Sequence, residues 1–208
     1  MSVEVVNDVG FEPSVSFSVN EKSKEISVVI ETARLILKSV EATNGYYDKY
    51  ASLFGDAEVM ATYANGKPKD RDWVINTIQN LWAKRWKEGD PYSAFAVFKK
   101  DTDEFIGHVA FGHGYEPGQT VMGFLFHKEY WNQKYGTEAV SAVVHQYAQE
   151  LIQRSYQVGG LPLREAVATT LPTNTASIRL QQRIGMTFQK YVEEYGTSRH
   201  LYSYSYSA

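Results

Sequence analysis

Three short apolar runs at hairpin spacing, leading directly into a long amphipathic segment, constrain the fold of this chain more than any other feature. The runs span residues 94–98, 105–111 and 121–126, and Asp101, Thr102 and Asp103 separate the first pair. Residues 112–118, with Gly112, Pro117 and Gly118, separate the second pair. Apolar runs bounded by turn formers predict the strands of an antiparallel meander. Over residues 135–154, Val140, Val143, Val144, Tyr147 and Leu151 recur at the spacing of one helix face, and Gly159, Gly160 and Pro162 end the pattern.

The flanking segments complete an alternating pattern. Residues 34–38 read as a strand, and Asn44 is placed to cap a helix carrying Tyr47, Tyr50, Ala51 and Phe54, stopped by Gly55 and Asp56. Asp70 or Asp72 caps a second helix striped by Val74, Ile75, Ile78, Leu81, Trp82 and Trp86. After the long helix come a strand over 164–170, a helix from Thr173 or Asn174 to Ile184 with Gly185 at its C-terminus, and strands over 186–193 and 201–206. Residues 1–25, with Gly10, Pro13 and scattered Ser and Asn, read as a loose N-terminal arm. The remainder, 26–208, reads as one α/β domain with a mixed sheet.

Composition removes several classes of function. Of 208 residues, 43% are apolar and 14% aromatic, enough to bury a sizeable core. A formal charge of −3 lacks the basic excess of a nucleic-acid partner. The chain has no cysteine, which excludes disulfide scaffolds, thiolate zinc clusters and thiol nucleophiles and fits a reducing cytoplasm. Its longest apolar run, 94–98, is far short of the roughly 20 residues of a membrane helix, so no membrane is expected. Glu4 and Asp8 and the lack of an apolar stretch do not fit a secretion signal. No His or carboxylate spacing suggests a metal.

Residues 124–139 carry the strongest chemical signal, because a strand runs through an aromatic turn into the start of the long helix. A helix N-terminus offers about four unpaired N–H groups and a positive dipole end, which together hold an anion without a cationic side chain. Gly136 either admits close backbone approach to such a ligand or relieves crowding in the turn.

Three motifs on these elements resemble the GNAT superfamily of acyl-CoA-dependent N-acetyltransferases. They are Arg34-Leu35-Ile36-Leu37 after Glu31 and Thr32, Tyr130-Trp131 before Tyr135-Gly136-Thr137-Glu138-Ala139, and Asn174 with Ser177 and Gly185. The resemblance runs from about residue 30 to the C-terminus and is nearest to the branch that acetylates protein N-termini, including ribosomal proteins. It implies a single domain whose mixed, mostly antiparallel twisted sheet has six to seven strands flanked by about four helices. It also implies acetyl-CoA as cosubstrate, with its pyrophosphate on backbone N–H groups of Gln133, Lys134, Tyr135, Gly136, Thr137 and Glu138. Two registers of the family's loop fit. The preferred one places Trp131 first, Lys134 at the first glycine and Gly136 at the last; the other places Gln133 first and Gly136 at the first glycine. Lys134 either adds a charged contact to phosphate or points into solvent.

The same resemblance puts Asn174 beside the pantetheine arm, although capping a helix is reason enough for Asn there. It makes Ser177 the catalytic candidate for protonating the departing thiolate, since Gln181 stands where other branches carry tyrosine. A backbone N–H from Phe124, Leu125 or Phe126 would meet the thioester carbonyl. Val121 and Met122 occupy the segment where many members carry a base, leaving His108, His113 and His127 as titratable candidates. Acceptor selectivity is expected in 56–70 and 193–200. The implied acceptor is a protein or peptide N-terminus; the alternatives are a small amine such as an antibiotic, polyamine or amino acid, or a non-catalytic acyl-CoA-binding module.

Overall fold

A computed structural model describes residues 12–206. Its sheet has nine strands, in the order β1 (Ser14–Val19), β2 (Ile26–Glu31), β3 (Leu35–Ser39), β4 (Ala94–Lys99), β5 (Phe105–His113), β6 (Gln119–Phe126), β9 (Glu165–Thr170), β11 (Thr197–Ser205) and β10 (Thr187–Glu194). Gln157–Val158 and Leu161–Pro162, β7 and β8, form a separate small hairpin. Every sheet pair is antiparallel except β6 with β9, which the long crossover helix joins in parallel.

Five helices flank the sheet. They are α1 (Asn44–Gly55), α2 (Ala57–Met60), α3 running from Arg71–Thr77 through a π turn, Ile78–Trp82, into Ala83–Lys87, α4 running from Tyr135–Ser141 through a second π turn, Ala142–Tyr147, into Ala148–Gln153, and α5 (Thr175–Arg183). Asp70 caps α3, its carboxylate accepting from the Trp73 N–H at 2.7 Å. Asn44 is not a cap: Thr43 holds that position, and no side chain there bonds the helix start.

Two expectations need correction. The sheet is wider than six to seven strands because β1 and β2 extend it at one edge. The segment expected as a loose arm contains β1, while residues 1–11 lie outside the described residues. Ser14 to Val19 alternate small polar with apolar, and Val15 and Phe17 pack on the core while Phe17 stacks on Tyr147 at 6.5 Å. Only three apolar residues carry that alternation, and its pairing with β2 through Val15↔Ile30 and Phe17↔Val28 makes it a strand.

Side-chain alternation builds a core on each face of the sheet. On β4, Phe95 and Val97 enter the core under α4, whereas Ala94, Ala96 and Phe98 enter the core under α1 and α3. On β6, Met122 and Phe126 face α4 and Leu125 faces α1 and α3. Burial on both faces explains why these strands read as continuous apolar runs.

The start of α4 is fastened to the opposite edge of the meander by one carboxylate. Glu138 Oε1 accepts from the Thr32 hydroxyl at 2.6 Å and the Arg34 backbone N–H at 2.8 Å, and Oε2 accepts from the Arg34 guanidinium at 2.7 Å. Arg34 also donates to the Gln133 carbonyl at 3.2 Å and lies 4.3 Å from the Tyr135 ring centre. Glu138→Ala leaves three donors without their acceptor, an expected loss of about 2 kcal/mol, or a fall of about 4–8 °C in Tm for a chain of this size. Glu138→Gln keeps an oxygen for Thr32 and the Arg34 N–H and should lose less than half as much in calorimetry. Equal losses would mean that the ion pair, rather than the shared acceptor, fastens the helix.

Candidate active site

The site is organised around a gap in the sheet. Parallel pairing of β6 with β9 is confined to Gln119↔Glu165, Thr120↔Ala166 and Val121↔Val167. β6 then follows β5 as far as Phe126↔Gly107, and β9 follows β11 as far as Thr170↔His200. Between them, residues 122–126 face no strand on the β9 side. Successive backbone groups of a strand point to alternate edges, so the gap presents unpaired donors and acceptors. Phe124, Leu125 and Phe126 lie on this stretch. Their side chains pack into the two cores, and by this alternation their backbone groups are shared between β5 and the gap.

β6 enters α4 through a 3₁₀ turn, Lys128–Tyr130. The Trp131 indole N–H donates to the Phe126 carbonyl at 2.7 Å, and the Gln133 side-chain amide donates to the Glu129 carbonyl at 2.6 Å. Asn132 and Lys134 both have left-handed backbones, with φ of 62° and 64°. Lys134 stands at the N-cap of α4, in a conformation that a glycine adopts without the cost paid by a side chain. The first bond of the helix runs from the Glu138 N–H to the Lys134 carbonyl at 3.0 Å. Tyr135, Gly136 and Thr137 precede that bond, and their N–H groups are the ones left over at the helix start. Glu138 must therefore be removed from the expected anion ligands, because its N–H is engaged in the helix and its carboxylate in the clamp on Arg34.

Gly136 meets side chains rather than open space. A Cβ there would lie 3.0 Å from Leu180 Cδ1 and 3.3 Å from Phe126 Cε2. Of the two readings of this glycine, relief of crowding has direct geometric support. The same contact brings α5 against the start of α4. On α5, Asn174 caps the helix, its side-chain oxygen accepting from the Ser177 N–H at 3.1 Å. The Gln181 amide donates to Ser177 Oγ at 2.9 Å, and the buried Gln181 Oε1 has no partner among the described residues.

The three histidines separate cleanly. His108 is fully buried among Tyr50, Phe54 and Trp82, with Nδ1 3.0 Å from the Tyr50 hydroxyl and the Trp82 ring centre at 4.7 Å. Desolvation pushes its pKa down to about 3, so it is a neutral core residue and not a base. His113 sits at the far end of β5 from the gap, 2.7 Å from the Asp90 carboxylate. His127 remains beside the turn, half-buried, with its pKa lowered chiefly by burial and partly restored by Glu129, Asp56 and Glu104.

Spacing in the sequence gives no hint of one further group. The Glu194 carboxylate accepts from the Tyr115 hydroxyl at 2.6 Å and from the Thr169 hydroxyl, and Arg199 Nε donates to Thr169 Oγ1 at 3.2 Å. Arg199 Nη1 donates to the Ala64 carbonyl at 3.2 Å, which joins the β10–β11 hairpin to the segment between α2 and α3. The two stretches expected to flank the acceptor cleft are in contact through this arginine.

A model of the acetyltransferase (GNAT) domain matches residues 34–187. The chain belongs to the GNAT acetyltransferase family. An uncharacterised protein of Bacillus subtilis, YkkB, is 29% identical over 150 residues, covering 70% of this chain and 78% of its own length. A GNAT-family acetyltransferase from Bacillus anthracis superposes with a TM-score of 0.67 at 21% identity, over 85% of this chain and 98% of the other. RimL, a ribosomal L7/L12 α-N-protein acetyltransferase solved with coenzyme A, gives 0.66 at 15% identity, over 85% and 97%. At such identities the superpositions speak for the fold alone. Among the described residues no cluster of metal ligands occurs and no helix is long and apolar enough to cross a membrane.

His108 yields a pH prediction for the folded enzyme. Its pKa is near 6.5 when unfolded and about 3 when folded, so the unfolded chain binds a proton that the native state refuses. Its contribution to stability is complete above pH 6.5 and is lost as pH falls toward 3, at up to about 1.4 kcal/mol per unit. His108→Gln, compared with wild type in urea titrations from pH 7 to 4, should flatten that dependence. Parallel curves would place the acid sensitivity elsewhere.

Proposed function

We propose that the chain transfers an acetyl group from acetyl-CoA to a primary amine, with a protein or peptide N-terminus as acceptor. The observation that carries this reading is the gap beside residues 122–126, which opens next to the free N–H groups of Tyr135, Gly136 and Thr137. The gap would receive the thioester and pantetheine arm, and the helix start the pyrophosphate. Gln181 Oε1 and Thr170 Oγ1, buried without partners among the described residues, are polar groups that a ligand's amides could satisfy.

The amine must be neutral to attack. Its nitrogen adds to the thioester carbon, the C–N bond forms as the C–S bond breaks, the nitrogen releases one proton and the coenzyme A thiolate takes one up. A backbone N–H of Phe124, Leu125 or Phe126 would meet the carbonyl oxygen as charge develops. Ser177, whose oxygen already accepts from Gln181, keeps its own hydrogen for donation to the thiolate. Asn174 serves this reading by capping α5, which fixes Ser177 in place. The left-handed backbone of Lys134 supports the register that places it at the family's first loop glycine.

A small-molecule amine is a second reading, favoured by one observation. The Arg199 bridge to the Ala64 carbonyl ties together the two stretches expected to flank the acceptor, which would limit the room for an extended peptide.

Acetyl-CoA at about 100 times its Kd should stabilise the native state by about 2.7 kcal/mol, seen as a rise of about 5–10 °C in Tm. Incubation with acetyl-CoA and a panel of peptides and small amines should release thiol in proportion to amine consumed. Binding without release would mark an acyl-CoA-binding module. Lys134→Gly should leave affinity within about twofold at high salt, because an exposed ammonium adds only a screened attraction. A large loss for Gln133→Ala with no effect at Lys134 would favour the other register.

A further inference from the structure

Tyr63, between α2 and α3, presses its hydroxyl end against β6 at Gly123. A Cβ at Gly123 would stand 2.7 Å from Tyr63 Oη and 3.4 and 3.5 Å from Cε2 and Cζ, so only glycine leaves the hydroxyl where it is. Gly123 is the second residue past the last β9 pair, at Val121, and therefore borders the gap. It shares a face with Leu125, which lies in the core under α1 and α3, and pairs with Ala110, which packs on that same core. Phe126, which touches Gly136 at the start of α4, points to the other face. The Tyr63 hydroxyl thus reaches the gap from the side opposite the helix start.

The turn that carries it is held from behind. Ala64 has a left-handed backbone with φ of 46°, and its carbonyl accepts from Arg199, which is buried and braced by Thr169 and Glu194. The Tyr63 backbone bonds Met60 and Gly66, and its ring lies edge-on to Phe54 at 6.0 Å. Burial raises its pKa above the ordinary tyrosine value, so the hydroxyl keeps its proton and cannot act as a base. What it retains is a hydroxyl whose oxygen can accept a hydrogen bond beside the gap.

We propose that Tyr63 contacts the acceptor: its hydroxyl oxygen accepts a hydrogen bond from the incoming primary amine and holds the nitrogen over the thioester carbon beside Gly123. The assignment rests on the acetyl-transfer reading. It places acceptor and cofactor on opposite faces of β6, so that nucleophile and leaving group do not compete for one space. Arg199 is a positioning residue, acting through the Ala64 carbonyl.

The test follows thiol release at saturating acetyl-CoA, with a serine-initiated peptide and with spermidine as amines. Tyr63→Phe keeps the ring and removes the hydroxyl. It should lower kcat/KM for the amine about tenfold, the cost of one hydrogen bond made in the transition state, while calorimetry finds acetyl-CoA affinity unchanged. Gly123→Ala should cause a similar fall by displacing the hydroxyl, and should add less than a further twofold in the Tyr63→Phe background, where the displaced atom is missing. If wild type releases no thiol with either amine, the acetyl-transfer reading fails and this assignment with it. If wild type turns over but Tyr63→Phe stays within twofold, or the two losses multiply independently, the assignment alone is overturned.

Discussion

Parting of β6 from β9 is the constraint around which the molecule is arranged. Parallel strands joined by a helical crossover would ordinarily pair along their length, and unpaired backbone groups between buried strands are costly. Here each strand is committed to another neighbour, β6 to β5 through Phe126 and β9 to β11 through Thr170, and they share only three paired positions. The unpaired stretch is a place where an extended ligand can complete the sheet. The start of α4 lies at its end because the same β6 residues lead directly into the helix.

The two cores give the gap two sides with different chemistry. On one, α4 and α5 meet through Gly136 and Leu180, and α5 carries the hydrogen-bonded pair Ser177 and Gln181. On the other, the segment between α2 and α3 is tied to β11 by Arg199, with Tyr63 against β6. His108 belongs to the packing beneath this second side. A charged imidazole among Tyr50, Phe54 and Trp82 would be desolvated without a counter-ion, and the structure keeps it neutral.

Much of this was legible in the chain. The meander over residues 94–126, the long helix after it, a cap at Asp70 or Asp72 and the glycine after α5 all follow from periodicity and from residues that start or stop an element. Elements whose evidence was thin were missed. β1 carries only Val15, Phe17 and Val19 as apolar residues and depends on β2 to become a strand. Asn44 has the right chemistry for a cap but sits one residue inside the helix, because Thr43 already occupies the extended position before it. Glu138 looked like part of an anion loop. Its role was set by Arg34, more than one hundred positions earlier in the chain.

By itself the sequence determined the order and kind of most elements from β3 onward, the apolar stripes of the helices, and the candidate loop between β6 and α4. These depend on residues within a few positions of one another, where helical or strand periodicity acts directly on the backbone. Only the tertiary structure decided which strands part, which N–H groups at the start of α4 stay free, and which side chains lie on each side of the gap. Arg199 and Ala64 are 135 residues apart, and Tyr63 meets Gly123 across the whole meander. Contacts of that kind arise from how sheets and helices close on one another, and no local periodicity encodes them.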